Sequence, residues 1–270
     1  MNVLLTNDDG VFAPGIKKLY ESLKHECDLY VVAPDSEQSA TGHGITLTAP
    51  LRVVGENIYC DGGKAFAVNG TPVDCVKLAV KNLLDLKIDL VVSGINLGEN
   101  TGCNLIYSGT VSAAIEGYIL GIPAIAVSLT TYVNPDFSYA AELIAKIVKL
   151  YKNKEIDLSG MLLNINVPSV PKKEIKGILL TTQGKTPFVE EFKQRTDPSG
   201  RSYFWLAGKK LNIEDNVKTD EGAILNNYVS ITPLQYDMTD YSCFEYGKDN
   251  PVNEKAERLS GLLDKIMPVD

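Results

Sequence analysis

The residues best suited to chemistry stand at the amino end of the chain. Asn2–Thr6 reads as a short buried strand that breaks into Asn7-Asp8-Asp9-Gly10. Neighbouring side chains of a strand point to opposite faces, so Asp8 and Asp9 share one cavity only where the strand has ended. Gly10 permits that bend, because it tolerates positive φ. Two carboxylates held this close repel each other unless a proton or a cation sits between them. A hard divalent ion with oxygen ligands is the natural partner.

Three more segments carry groups of matching chemistry. After Val31-Val32-Ala33 comes Pro34-Asp35-Ser36-Glu37-Gln38-Ser39, and after Val91-Val92-Ser93 comes Gly94-Ile95-Asn96-Leu97-Gly98-Glu99-Asn100. Loops that follow parallel strands open together at the carboxyl edge of a sheet, where ligands bind in open α/β folds. Two carboxylates, a hydroxyl and an amide carbonyl on that rim form an all-oxygen set with room for waters, which favours Mg2+, Mn2+ or Ca2+ over zinc. Fourth, Tyr107-Ser108-Gly109-Thr110 opens a helix through Ala113 and Ala114. The free N–H groups and positive dipole end of a helix start bind phosphate. Gly109 lets an oxyanion approach the backbone, and Ser108 and Thr110 add hydroxyl donors. A cation beside a phosphate cradle suits phosphoryl transfer to water.

Each of these residues also has a plain structural use. Asp8 and Asp9 suit an Asx turn or a helix N-cap. Ser39 suits an ordinary loop, Asn96 a turn, and Ser108 an N-cap, a role compatible with phosphate binding. His43, in the Ser39–Gly44 loop, is either a general acid for the leaving oxygen or merely solvated. No function is expected of His25, near the end of an early helix. Glu116 and Lys77 are expected in solvated or structural pairs. Tyr203 and Trp205 suit a subunit contact, with base stacking the weaker option.

The elements that must position these groups follow from periodicity. Apolar runs at Val3–Thr6, Leu29–Ala33, Leu90–Ser93 and Ala124–Ser128 read as strands, and Gly15–Leu23, Pro72–Leu84, Thr110–Leu120 and Phe137–Tyr151 as helices. That alternation predicts a parallel sheet covered on both faces. Four short apolar runs, Ile45–Thr48, Leu51–Val54, Ile58–Cys60 and Ala65–Val68, break it and predict a small antiparallel excursion. Pro72 fits a first helical position. In the second half, strands are expected at Met161–Val167, Ile175–Thr181 and Tyr228–Thr232. A long hairpin is expected from Phe188–Arg195 and Arg201–Leu206 around the turn Thr196-Asp197-Pro198-Ser199-Gly200. The tail from Asn253 to Ile266 reads as helical. The expected organisation is a Rossmann-like α/β catalytic core over 1–150 and an elaboration over 151–270 with added strands, hairpin and oligomerisation tail, integrated as one domain.

Composition narrows the partners. The 270 residues are 44% apolar and 22% charged, as in a globular protein with a proper core. The formal charge of -8 argues against broad attraction to nucleic acid or anionic membrane, so an anionic substrate needs local attraction. Five cysteines, an odd number without C-x-x-C, argue against a disulfide framework or zinc site and fit a reducing cytosol. The start MNVLLTNDDG does not read as a signal peptide, and no apolar run has spanning length.

The motifs together resemble the survival protein SurE family of metal-dependent nucleotidases. The likeness rests on TNDDG at Thr6–Gly10, APG at Ala13–Gly15, VVAPD at Val31–Asp35 and QSATGHGIT at Gln38–Thr46. It continues through NGTPVDCVKLA at Asn69–Ala79, SGINLGEN at Ser93–Asn100 and YSGTVSAAIEG at Tyr107–Gly117, then LLNINVP at Leu162–Pro168 and YVSITPL at Tyr228–Leu234. It covers roughly residues 1 to 235. The resemblance implies one divalent ion, Mg2+ or Mn2+, on Asp8, Asp9, Ser39 and Asn96, with phosphate held around Ser108, Gly109 and Thr110. It implies hydrolysis of nucleoside 5′- and 3′-monophosphates, with short polyphosphate a further substrate of some members. It also implies a homodimer or homotetramer that exchanges hairpin or carboxyl-terminal segments.

The expected protein is therefore a cytoplasmic phosphomonoesterase in which Asp8 and Asp9 anchor the cation and orient an in-line water. Three alternatives stay open: Asp8 as a covalent nucleophile, another small phosphomonoester as substrate, and a nucleotide-binding regulator without turnover.

Overall fold

A computed structural model describes residues 1–56, 65–210 and 215–241. The strand expected at Ile58–Cys60 and the helix expected at Asn253–Ile266 lie outside them, as do Cys60 and Cys243. The chain divides into one compact unit, Met1–Gln235, and a second, Tyr236–Asp270, of which residues 236–241 are described. In the second, Asp237 accepts the Thr239 N–H (2.9 Å) and the Tyr241 hydroxyl.

The first unit is a mixed, mainly parallel α/β sheet flanked by helices. Its strands are β1 (Asn2–Thr6), β2 (Asp28–Pro34), β3 (Val53–Glu56), β4 (Ala65–Val68), β5 (Leu90–Leu97), β6 (Ala124–Leu129), β7 (Leu162–Val167), β8 (Gly177–Leu180), β9 (Phe188–Thr196), β10 (Ser202–Lys210) and β11 (Tyr228–Pro233). Nine of them form one sheet in the order β3-β4-β2-β1-β5-β6-β7-β11-β8. Its neighbours run parallel except in the pairs β3–β4 and β7–β11. β9 and β10 form a separate antiparallel ribbon, the expected hairpin.

The helices are α1 (Pro14–Leu23), α2 (Pro72–Leu78), α3 (Gly109–Ile119), α4 (Ser138–Lys152) and the short α5 (Asp220–Leu225). Ile16, Leu19, Tyr20 and Leu23 of α1 are buried at helical spacing, as are Ala140, Leu143, Ile144 and Val148 of α4. These pack with Val3, Leu5, Val92, Ile125 and Ile165 on one face of the sheet. Val76 of α2 and Ala113 and Ala114 of α3 pack with Leu4, Val91, Ala124 and Leu162 on the other. α2 starts on a reciprocal Thr71–Asp74 capping box with Pro72 in its first turn. It ends at Leu78 and widens into a π-helical turn over Ala79–Leu83, where one continuous helix was expected.

Two further expectations change. Ile45–Thr48 forms no strand. Thr46 gives its N–H (3.0 Å) and hydroxyl (2.6 Å) to Asp74, and the Gly44 carbonyl accepts the Thr71 hydroxyl (2.7 Å). The start of α2 thus takes the bonds a strand partner would have supplied. Among the described residues the antiparallel excursion comprises the edge pair β3–β4, with β4 parallel to β2. β5 also outruns its expected end at Ser93. After an irregularity between Ser93 and Asn96, pairing resumes with Asn96 opposite Ser128 and Leu97 opposite Leu129.

Candidate active site

The segment after β1 turns at once. Gly10 adopts φ +100°, Asn7 Nδ2 donates to the Gly10 carbonyl (2.9 Å), and the Gly10 N–H donates back to Asn7 Oδ1 (3.2 Å). Asn7 therefore closes the turn, leaving Asp8 and Asp9 to face the site. Asp8 is buried and Asp9 half-buried.

Asp8 lies against the start of α3. The Thr110 hydroxyl and backbone N–H both donate to its carboxylate. Gly109 makes this approach possible, since a Cβ there would stand 2.7 Å from Asp8 Cβ and 2.9 Å from its Oδ2. The cation corner and the phosphate corner expected from the sequence are thus one place. The first turn of α3 has backbone donors without intrahelical partners. Ser108 Oγ accepts the Val111 N–H (3.1 Å) as N-cap, the Ser112 N–H goes to the Ser108 carbonyl (3.0 Å), and Thr110 serves Asp8. Among the described residues, no acceptor is bound to the Gly109 N–H, and the Ser108 hydroxyl keeps its own proton to donate.

Asp9 joins the end of β5. Its carboxylate accepts the N–H of Leu97, the residue after Asn96. Asn96 commits Nδ2 to the Gly98 carbonyl (2.8 Å), which leaves Oδ1 as the atom able to bind a cation. The loop after β2 is tied to the same corner by the Gln38 N–H on the Asp8 carbonyl (2.8 Å). Ser39, next along, is exposed and donates to Glu37 Oε1 (2.6 Å), keeping its lone pairs.

Electrostatics make this an acid-rich corner short of positive charge. Burial pushes the Asp8 carboxyl up, opposed by the Thr110 bonds, with a smaller upward push from Glu37. Asp9 is pushed up to about 7, chiefly by burial and then by Asp8, with Leu97 opposing and Glu37 adding. A bound divalent cation would relieve the Asp8–Asp9 pair, and the donors are hard oxygens, so the residues present fit such an ion. Among the described residues, no three His, Cys, Asp or Glu side chains cluster as a metal site. The expected set needs only two carboxylates, completed by a hydroxyl and an amide oxygen. Glu37 is the acidic neighbour that sequence reasoning passed over, although it stands two residues before Ser39.

The sheet beneath the site carries a feature that sequence reading also missed. The strands were read as uniformly apolar, yet the face toward α2 and α3 changes character along its length. At the amino end it presents Leu4, Val91, Ala124 and Leu162. At the carboxyl end, in-register partners form a buried row that is polar except at Ala126, Thr6–Ser93–Ala126–Asn164–Thr232, with Ser128–Asn166–Ser230 beyond it. Asn100 locks onto this surface. Its N–H donates to Asn166 Oδ1 (2.8 Å), its Nδ2 to Ser128 Oγ (2.9 Å), and its carbonyl accepts from Asn164 and Asn166 (2.8 and 2.9 Å). The signal was the period-two pattern Leu4-x-Thr6, Val91-x-Ser93 and Leu162-x-Asn164-x-Asn166.

Glu116 proves structural and buried rather than solvated. It is 2% exposed, with Lys77 Nζ at 2.5 Å and His43 Nε2 at 3.1 Å. His43 is thereby tied to α3, and the Gly42 N–H on the Tyr107 carbonyl (3.1 Å) fixes the same loop. His25 is exposed, beyond the end of α1. Asp220, on α5, accepts the N–H groups of Gly102 (3.0 Å), Gly184 (2.7 Å) and Glu221 (2.7 Å), anchoring the segment that leads into Ser108.

A mainly parallel α/β sheet with acidic groups and a helix start at its carboxyl edge defines the class: an open α/β protein with a site suited to a cation and an oxyanion. The sequence pattern of the survival protein SurE family matches residues 3–190. The chain belongs to that family. A relative from Natranaerobius thermophilus, named 5′-nucleotidase SurE, is 49% identical over 251 residues, covering 90% of this chain and 96% of that one. The 5′-nucleotidase SurE of Carboxydothermus hydrogenoformans is 48% identical, covering 89% and 92%. The crystal structure of the SurE protein from Aquifex aeolicus superposes with a TM-score of 0.76 at 43% identity, covering 90% of this chain and 96% of that one.

Proposed function

We propose that this chain is a metal-dependent phosphomonoesterase that converts nucleoside 5′-monophosphates to nucleoside and phosphate. The relatives that match nearly its whole length carry the name 5′-nucleotidase. The observation that supports the reading is the meeting of Asp8 with the Thr110 end of α3, beside a helix start of the kind that can accept an anion. Activity on 3′-monophosphates and short polyphosphate belongs to the same proposal, since the groups described address the phosphate.

Asp8, Asp9, Ser39 Oγ and Asn96 Oδ1 would hold one Mg2+ or Mn2+ ion. Such an ion neutralises phosphate charge and lowers the pKa of water. The chain's own groups do the rest. The Gly109 N–H and Ser108 hydroxyl bind non-bridging oxygens, and the α3 dipole favours their charge as it develops. Thr110 fixes Asp8 and so sets the distance between the carboxylate pair and the phosphate. A carboxylate of the pair accepts a hydrogen bond from the attacking water and orients it. In the described residues no helix is long and apolar enough to cross a membrane. Cytoplasmic location fits the cysteine usage, with Cys27, Cys75 and Cys103 all free thiols. Assembly as a homodimer or homotetramer through the β9–β10 ribbon fits its exposed Phe192, Phe204, Trp205 and Leu206.

The test is phosphate release from a panel of nucleoside 5′- and 3′-monophosphates, other phosphate esters and short polyphosphate, with EDTA and then with single metals restored. Release that stops with EDTA and returns with Mg2+ or Mn2+ is expected. Nucleotide binding without release would reduce the protein to a nucleotide sensor.

A further inference from the structure

The rim of the site carries exposed aromatic rings. Phe12 is three residues after Asp9, Tyr107 directly precedes Ser108, and Tyr132 follows β6; they are 62%, 60% and 74% exposed. Tyr132 stands out for where its ring is seated. Its phenol end rests on Gly98, two residues after Asn96, where a Cβ would stand 2.5 Å from Cε1, Cζ and Oη. Gly98 holds φ +107°, and its carbonyl accepts Asn96 Nδ2 (2.8 Å), so the ring leans on the backbone that orients the candidate ligand. The turn beneath the ring is also set. Thr131 Oγ1 donates to the Val133 carbonyl (2.9 Å) and accepts the Val133 N–H (3.1 Å). The Thr130 N–H is held by the Val167 carbonyl (3.0 Å).

We infer that Tyr132 is the platform on which the nucleobase of the substrate stacks. The inference rests on the nucleotidase reading above and names the part of that substrate the ring would recognise. The polar groups assigned above serve the ion and the phosphate. A phosphate at the start of α3 leaves the sugar and base to extend over the rim, where Phe12, Tyr107 and Tyr132 offer exposed aromatic faces. An anchored ring binds a base with little loss of side-chain freedom, and stacking tolerates any base because every base has a π-face. Tyr132 acts on specificity and touches neither the reacting phosphorus nor the ion.

The experiment compares AMP with ribose 5-phosphate, which keeps the sugar and phosphate and lacks the base. Tyr132→Ala should lower kcat/KM for AMP about tenfold, chiefly through KM, and leave ribose 5-phosphate unchanged. Tyr132→Phe should keep the preference for AMP, since stacking needs the ring and not the hydroxyl. AMP binding by calorimetry in the presence of Mg2+ should weaken by the same factor in Tyr132→Ala and persist in Tyr132→Phe. Equal losses on both substrates would assign Tyr132 to support of the Gly98 backbone and overturn the platform. So would an unchanged AMP preference, which would leave the ring to a protein contact. A wild-type protein that releases no phosphate from either substrate would defeat the nucleotidase reading alone, and the calorimetric comparison would still decide for or against the platform.

Discussion

Thr110 gives both its hydroxyl and its backbone N–H to the carboxylate of Asp8. One residue thus spends two donors of the α3 start on an acid from β1's end, 102 positions away in the chain. Removing the hydroxyl should leave a buried carboxylate short of a donor, at a cost of about 1–3 kcal/mol. Thr110→Val is expected to lower the urea midpoint and slow phosphate release, while Thr110→Ser restores both. Asp8→Asn keeps an acceptor for Thr110 and should fold normally yet lose release almost completely. Full activity in Asp8→Asn would remove Asp8 from the site.

Gly109→Ala tests the close approach itself. The added methyl would stand 2.7 Å from Asp8 Cβ and 2.9 Å from Oδ2, so the carboxylate or the helix start must move. A shift of about 1 Å in catalytic geometry costs on the order of a hundredfold in rate. Activity is expected to collapse while circular dichroism and most of the thermal stability remain. A fully active Gly109→Ala would show that the contact between α3 and Asp8 is not needed.

Asp9 gives the pH dependence of ion binding. Metal-free, its carboxyl is pushed up to about 7, and a cation binds the charged form. Protons therefore compete below pH 7, and the apparent Mn2+ affinity measured by calorimetry should fall about tenfold per pH unit there and level off above it. The stability sign follows from linkage. A carboxyl raised from 3.8 to about 7 contributes stability below pH 4 that is lost as pH rises through 7. In EDTA, wild type should lose melting temperature over that window relative to Asp9→Asn, and Mn2+ should restore it.

The chain holds one tryptophan, Trp205, 61% exposed on the β9–β10 ribbon. If a second copy covers that ribbon, the emission of the native protein should be blue-shifted and should move red on dilution. Phe204→Glu should shift emission red at all concentrations and reduce the assembled mass in light scattering. Emission independent of both would separate the ribbon from assembly.

Much of this was legible in the chain itself, because short-range rules write directly into residue types. Pro72 and Ser108 mark helix starts, Gly10 marks a turn, and alternating apolar runs specify a sheet with helices on both faces. The candidate site residues were named from those loops alone and from the likeness their motifs carry. Tertiary structure decided what touches what. It carried β5 on to Leu97 past an irregularity, since Asn96 and Leu97 found partners on β6 that no local rule reveals. It buried Glu116 between Lys77 and His43, brought in Glu37, and gave Thr110 to Asp8. Sequence determines the conformations each residue prefers, because φ, ψ and period depend on near neighbours. Burial, pKa and donor ownership depend on groups scores of positions away, and only the closed fold assigns them.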